Sequence, residues 1–197
     1  MIEFYVNGDK IDIQIENEKT IGEVLTSFEQ TCEENEAAVI EIKVNDNQIS
    51  AEAFDEEAKK ELSEDMKFEF TIVTKNNIKD SFSNLSVLFN ELSEKMEQVP
   101  VDIQTGKNQE VTASIQALAD SINQFSHVAA LASLFPETFT NTTINNMPFN
   151  EFFKDFSTIL LDFEQALQSN DSVLVGDLSE YEICPRLQAI SEFLKIV

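Results

Sequence analysis

Apolar residues recur with period two up to about residue 76, and with steps of three and four beyond it. That change of period constrains the fold more than any other feature, because a pattern that buries one face of a strand scatters around a helix, and the reverse. It predicts an α+β protein in two parts: a sheet-forming domain over residues 1–76 and a helical domain over 77–197, joined at Lys75, Asn76 and Asn77.

In the first part, Ile2, Phe4 and Val6 alternate with Glu3 and Tyr5, and Asn7-Gly8-Asp9-Lys10 supplies a turn with Gly8 suited to positive φ. Ile11, Ile13 and Ile15 then alternate with Asp12, Gln14 and Glu16, which predicts a hairpin with one apolar and one acidic face. Thr20-Ile21-Gly22-Glu23 has the spacing of a capping box, and Val24, Leu25, Phe28 and Cys32 continue it as a helix closed by Glu33-Glu34-Asn35-Glu36. A strand over Val39–Val44 follows, then a turn at Asn45-Asp46-Asn47 and a short return at Gln48–Ser50. One or two helical turns around Phe54, Ala58 and Leu62 lead to a last alternating strand over Lys67–Val73.

The order hairpin, helix, strand, short strand, small helix, strand resembles the β-grasp fold of ubiquitin-like domains, in which a mixed sheet wraps one helix. The resemblance covers the first 76 residues and rests on element order, so it implies a fold and not an activity. Two β-grasp chemistries are excluded by the residues themselves. Ubiquitin and the sulfur carriers expose a C-terminal Gly-Gly, whereas Val73-Thr74-Lys75-Asn76 runs on into the second part. Plant-type ferredoxins need four cysteines, and this part has only Cys32. A binding surface, or a scaffold for its neighbour, is what the resemblance leaves.

In the second part, Ile78, Phe82, Leu85, Leu88, Phe89, Leu92 and Met96 make the stripe of a first helix, ended by Val99-Pro100-Val101 and followed by a loop over residues 102–107 containing Gly106. Val111, Ile115, Leu118, Ile122, Phe125 and Ala129 predict a second helix reaching about Leu134. Phe135-Pro136 interrupts the pattern, and residues 137–146 read as a loop anchored by Phe139 and Ile144. The third helix, Pro148–Leu167, carries Phe149, Phe152, Phe153, Phe156, Leu160, Phe163 and Leu167 on one face. A fourth begins at Asp171 or Ser172 and is kinked or divided by Pro185. Four amphipathic helices with short connections predict a four-helix bundle.

Thirteen basic residues stand against 37 acidic ones, a net charge of −24. Binding to a nucleic-acid backbone or an anionic membrane needs clustered Lys and Arg, so neither partner is expected. The acidity is shared between the parts, with 20 acidic and 7 basic residues in 1–76, which fits a solvated surface better than a charged arm. Cys32 and Cys184 have no second Cys or His nearby in sequence, which predicts reduced thiols and no zinc site. The N-terminal residues read as a strand and not as a signal peptide, and no apolar run approaches the ~18 residues of a membrane span. The expected compartment is the cytoplasm.

No residue has the surroundings of a catalytic, cofactor-binding or metal-binding group. His127 is the only histidine and lies off the apolar stripe. Asp177 and Glu180 lie one helical turn apart beside Tyr181 and Glu182, but neither Glu-x-x-His motif of a di-iron bundle is present. Gly106-Lys107 lacks the upstream Gly and the following Ser/Thr of a phosphate loop. The sixteen phenylalanines are the remaining signal. Phe152 and Phe153 are adjacent, so they point about 100° apart and cannot share one narrow seam. One of them must meet a second neighbour: another helix, the sheet, or a partner.

The chain is therefore expected to be a non-enzymatic cytoplasmic protein-binding module without a cofactor, an adaptor or export-chaperone-like protein holding an amphipathic partner segment. Phe149, Phe152, Phe153 and Phe156 are the candidate partner-binding residues. A homodimer whose interface absorbs the spare phenylalanines is compatible with that reading. Two alternatives are a small-molecule or metal-binding protein, or an enzyme, using the Asp177–Glu182 region, and an acidic nucleic-acid mimic.

Overall fold

The computed structural model describes residues 2–139 and 143–196. The protein is α+β, with a mixed sheet followed by a helical region, and it divides into two compact units, Met1–Asn77 and Ile78–Val197.

The first unit is built from β1 (Glu3–Val6), β2 (Asp9–Ile11), α1 (Ile21–Glu34), β3 (Ala37–Val44), β4 (Asn47–Gln48), α2 (Phe54–Glu57) and β5 (Lys67–Thr74). The strand order is β2-β1-β5-β3-β4. Only the β1/β5 pair is parallel, with Phe4 opposite Phe68 and Val6 opposite Phe70. Phe4, Ile21, Val24, Leu25, Val44, Met66, Phe68 and Phe70 form the core between α1 and the sheet. The predicted second strand of the hairpin is shorter than its alternation suggested, since pairing stops at Ile11. Ile13 and Ile15 still pack on the core without a ladder partner.

The predicted capping box is present: Glu23 N–H donates to Thr20 Oγ1 at 3.3 Å, and Thr20 N–H donates to Glu23 Oε2 at 3.3 Å. With so few glycines, asparagine supplies most of the left-handed backbone. The β1–β2 turn uses Asn7 and Gly8, and the β3–β4 turn uses Asn45 and Asp46, all four at positive φ. Asn7 also clamps the end of the hairpin to β5, since its side chain donates to the Ile72 carbonyl at 3.2 Å and accepts from Ile72 N–H at 2.9 Å.

The second unit holds the rest of α3 (Lys75–Gln104), then α4 (Asn108–Ala132), α5 (Pro136–Phe139), β6 (Thr143–Ile144), β7 (Met147–Pro148), α6 (Phe149–Gln168), α7 (Ser172–Asp177), a π-helical segment (Leu178–Ile183) and α8 (Cys184–Leu194). Two features differ from the sequence expectations, and a third agrees with them. Helix α3 continues through Pro100 to Gln104. Proline lacks the N–H that would bond four residues back, but Val99 is fully buried and Asp102 nearly so, and packing on both sides of the proline keeps the helix going. Residues 143–148, expected as part of a loop and the start of a helix, form a small hairpin turned by Asn145 and Asn146 at positive φ, with Ile144 buried; positions 140–142 of the expected loop lie outside the described residues. The fourth helical run is divided at Pro185, as expected: the π-helical segment ends at Ile183 and α8 begins at Cys184, with the proline in its first turn, where its missing N–H costs little.

Candidate functional site

The phenylalanines singled out by the sequence lie in an aromatic cluster inside the helical unit. Phe153 of α6 stacks on Phe125 of α4 with ring centroids 5.0 Å apart, and Phe125 meets Phe89 of α3 edge-on at 5.9 Å. Phe149 lies 4.7 Å from Phe153 and 5.9 Å from Phe193 of α8. All four helical runs therefore contribute a ring. The second neighbour demanded by the adjacent Phe152 and Phe153 is α4. This corrects the candidate partner face in part. Phe152 and Phe156 are 5% and 1% exposed, so they are core residues with no area to offer a partner. Phe149 and Phe153 are half-buried against their neighbours.

The acidic group near Tyr181 lies on the π-helical segment and its approach. Glu182 is turned to Arg186, whose guanidinium donates to Glu182 Oε2 at 2.7 Å and to Asp155 Oδ2 of α6 at 2.7 Å. The carboxylate thus belongs to a bridge between α6 and α8. Tyr181 is 64% exposed, and its phenol is held above the ordinary range by a hydrogen bond to Glu180 and by the negative charge of Glu180 and Asp177. Among the described residues, no group of three or more His, Cys, Asp or Glu is placed to hold a metal ion. His127 is exposed on α4.

Gly106-Lys107 closes α3. Gly106 has φ +72; its N–H donates to the Ile103 carbonyl at 3.1 Å, and Lys107 N–H donates to the Asp102 carbonyl at 2.8 Å, the pair of bonds that defines a Schellman motif. Lys107 Nζ also reaches the buried Asp102 carboxylate at 3.2 Å. Both residues serve the helix end. Cys32 and Cys184 are free and buried, and burial raises both thiols above their ordinary pKa.

The site that the residue pattern did not reveal lies in the first unit, along the outer edge of β3. Strand β4 is only two residues long and pairs with β3 only at Lys43 and Val44. After the Ile49 N–H bonds to the Ile42 carbonyl at 2.9 Å, the chain turns away through Ser50 and Ala51 into α2. From Ala37 to Glu41, β3 is paired with β5 on one side and, among the described residues, with no strand on the other. A β-bulge between Val39 and Glu41 turns Ile40 outward, leaving it 44% exposed.

Beside this edge lies a groove of about 450 Å³, open to solvent. It is lined by Leu25 and Glu29 of α1, residues 39–42 of β3, residues 48–51 after the β3–β4 turn, Phe54 of α2 and Phe70 of β5. Phe70 is held by Phe28 of α1, stacked at 3.8 Å between centroids. Both charged residues lining the groove, Glu29 and Glu41, are acidic. The lining is thus mixed, with apolar side chains interleaved with Glu29, Glu41, Gln48 and Ser50, next to a row of backbone donors and acceptors. No alternation or charge pattern marks it, because its openness depends on how far β4 accompanies β3.

Residues 80–193 match the family described as Domain of unknown function (DUF8042), and residues 2–74 match the TP0873 N-terminal domain. An uncharacterized protein of Treponema pallidum (strain Nichols) is 24% identical over 187 residues, covering 95% of this chain and 93% of that protein. No solved structure matches significantly.

Proposed function

We propose that this chain, which belongs to the DUF8042 family through its helical half, is a non-enzymatic cytoplasmic protein-binding module of the adaptor or export-chaperone kind. The observation that carries the reading is the groove between α1 and the open edge of β3. It is of ligand-binding size, with apolar and polar lining in about equal measure, and it sits beside an unpaired stretch of strand, a combination that suits peptide recognition. In this reading the first unit is a β-grasp domain, supported by the order β2-β1-β5-β3-β4, the parallel central pair and the single long helix packed on the sheet. The second unit is a four-helix bundle that acts as scaffold, supported by the aromatic cluster drawn from α3, α4, α6 and α8. Two free buried thiols support a reducing compartment.

The test is cross-linked capture from the native lysate with the wild-type protein and with Ile40→Asp in parallel. Ile40 is exposed, so the substitution leaves the core intact. A defined protein enriched by the wild type and lost with Ile40→Asp is the expected result. Identical proteins on both baits, or only a metal or metabolite on the wild type, would sink the reading.

A further inference from the structure

Resting on the binding reading above, we infer that the groove takes an extended segment of a partner protein, with apolar residues alternating with Lys or Arg, added as a sixth strand on the free edge of β3. Three observations point to this occupant. The first is the backbone. Over Ala37–Glu41 the outward N–H and C=O groups of β3 have no strand partner among the described residues, although on its inner side the strand pairs with β5 at every position but the bulged Ile40. Main-chain groups left in a row along an edge are satisfied by another extended chain, not by a helix, whose own groups are already bonded.

The second is the composition of that edge. Natural sheets blunt an open edge with Lys, Pro or inward-pointing charge, yet Ala37-Ala38-Val39-Ile40 carries none of these. The bulge at Val39–Glu41 shields the edge only by turning it, and in doing so it presents the Ile40 side chain toward incoming chain. A strand seated there has a side chain every second residue facing the apolar lining of Leu25, Ile49 and Phe54.

The third is charge. Glu29 and Glu41 line the groove without a basic residue among the lining, although Glu41 is paired with Lys43 of the same strand at 3.5 Å. Helix α1 ends in the acidic Glu33 and Glu34 just before β3, and Asp55, Glu56 and Glu57 follow Phe54. An apolar strand with acidic alternate residues meets like charge at Glu29 and Glu41, whereas Lys or Arg alternation meets opposite charge. The lining therefore discriminates between two peptides of identical shape.

The experiment titrates the full-length protein with a fluorescent peptide of about eight residues alternating Val or Ile with Lys, long enough to span the bare edge. Three twins accompany it: Glu in place of Lys, backbone N-methylation on the pairing edge, and an amphipathic helical peptide of similar composition. Anisotropy reports affinity, and amide hydrogen exchange reports where the peptide sits. The expected result is saturable binding by the Lys peptide, weakened by added salt, with slowed exchange at Ala38–Glu41. Ile40→Asp and the N-methylated twin each lose about tenfold or more, and the Glu twin does not bind. Equal binding by the N-methylated twin or by the helical peptide overturns strand addition while leaving a groove-dependent partner in the capture experiment untouched. Binding by none of the peptides overturns the inference outright. A concentration-dependent dimer of the protein itself, abolished by Ile40→Asp, overturns it in favour of a second copy as the occupant.

Discussion

Ser86 of α3 and Ser191 of α8 exchange hydrogen bonds across 105 residues of chain: Ser86 Oγ donates to the Ser191 carbonyl at 3.0 Å, and Ser191 Oγ donates to the Ser86 carbonyl at 2.8 Å. Both side chains are buried, so the two helices approach closely enough for each hydroxyl to reach the other's backbone. Replacing either serine by alanine removes one hydroxyl donor but leaves the carbonyls in their own helices. Each single change is expected to cost about 1 kcal/mol, and the double change less than the sum, because the two bonds share one contact. Ser191→Leu is expected to cost more, on the order of 1–3 kcal/mol, by forcing the helices apart. Urea unfolding followed by far-ultraviolet circular dichroism reads all four values.

Gly22, in the first turn of α1, is a second point of close approach. A Cβ there would lie 2.9 Å from both the Cβ and the carbonyl oxygen of Ala58. Gly22 N–H donates to that same carbonyl at 2.9 Å, so the segment after α2 is tied down and cannot move aside cheaply. Alanine is the better helix former by about 1 kcal/mol, yet Gly22→Ala is expected to destabilise the first unit, by on the order of 1–3 kcal/mol. An increase in its melting temperature would contradict the packing described. Ala58→Gly in the same background removes one of the two clashing atoms and is expected to restore part of the loss.

The aromatic cluster separates residues by what surrounds them. Phe156 is enclosed, and truncation to alanine is expected to cost about 3–5 kcal/mol. Phe153 is half-buried and stacked on Phe125, so its truncation is expected to cost about 2 kcal/mol, part of it ring stacking that a Phe125→Ala/Phe153→Ala cycle isolates. If Phe153→Ala were the more damaging of the two, the cluster would be centred on α4 instead of on the interior face of α6.

Acid stability is the fourth expectation. The Glu18 carboxyl is held below its ordinary range by its own backbone N–H, then by the Ser27 hydroxyl and the N–H groups of Glu16 and Asn17. A carboxyl whose folded pKa is depressed contributes stability that is fully present above its unfolded pKa and is lost as pH falls through the folded one. Loss therefore begins near the ordinary glutamate value of about 4.3 and continues downward. Glu3, held down by Lys10 and Tyr5, and Asp46, held down by Lys67, act in the same window. Between neutral pH and that window the sign is opposite, since protonation relieves the self-repulsion of a chain at −24. Stability is expected to peak just above the carboxylate range, and Glu18→Gln to flatten the acid limb without moving the peak.

How legible these features were depends on how local their causes are. The capping box could be read because Thr20 and Glu23 are three residues apart and each needs only the other's backbone. The sheet and helical regions could be read because their apolar periods differ. The Asn145-Asn146 hairpin escaped because strands of two residues have no alternation to detect. The passage of α3 through Pro100 escaped because burial of Val99 and Asp102, a tertiary property, outweighs the missing bond. Phe152 and Phe156 carried a correct pattern and an incorrect expectation: a stripe says that a face is covered, and the structure alone says by what. The open edge of β3 is the extreme case, since it follows from where β4 stops.

The π-helical segment Leu178–Ile183 has a consequence for chain length. Its bonds span one residue more than those of an α turn, so the run from Ser172 to Leu194 carries a surplus residue that is absorbed locally and does not rotate α8 away from its neighbours. Tyr181 is the most exposed large apolar side chain of that segment. Its deletion would convert the segment into ordinary α-helix and leave Arg186 facing Asp155 and Leu187 in the core. Loss of one residue at this point is expected to leave the buried face in register, where elsewhere along α3, α4 or α6 the same event would turn it out to water.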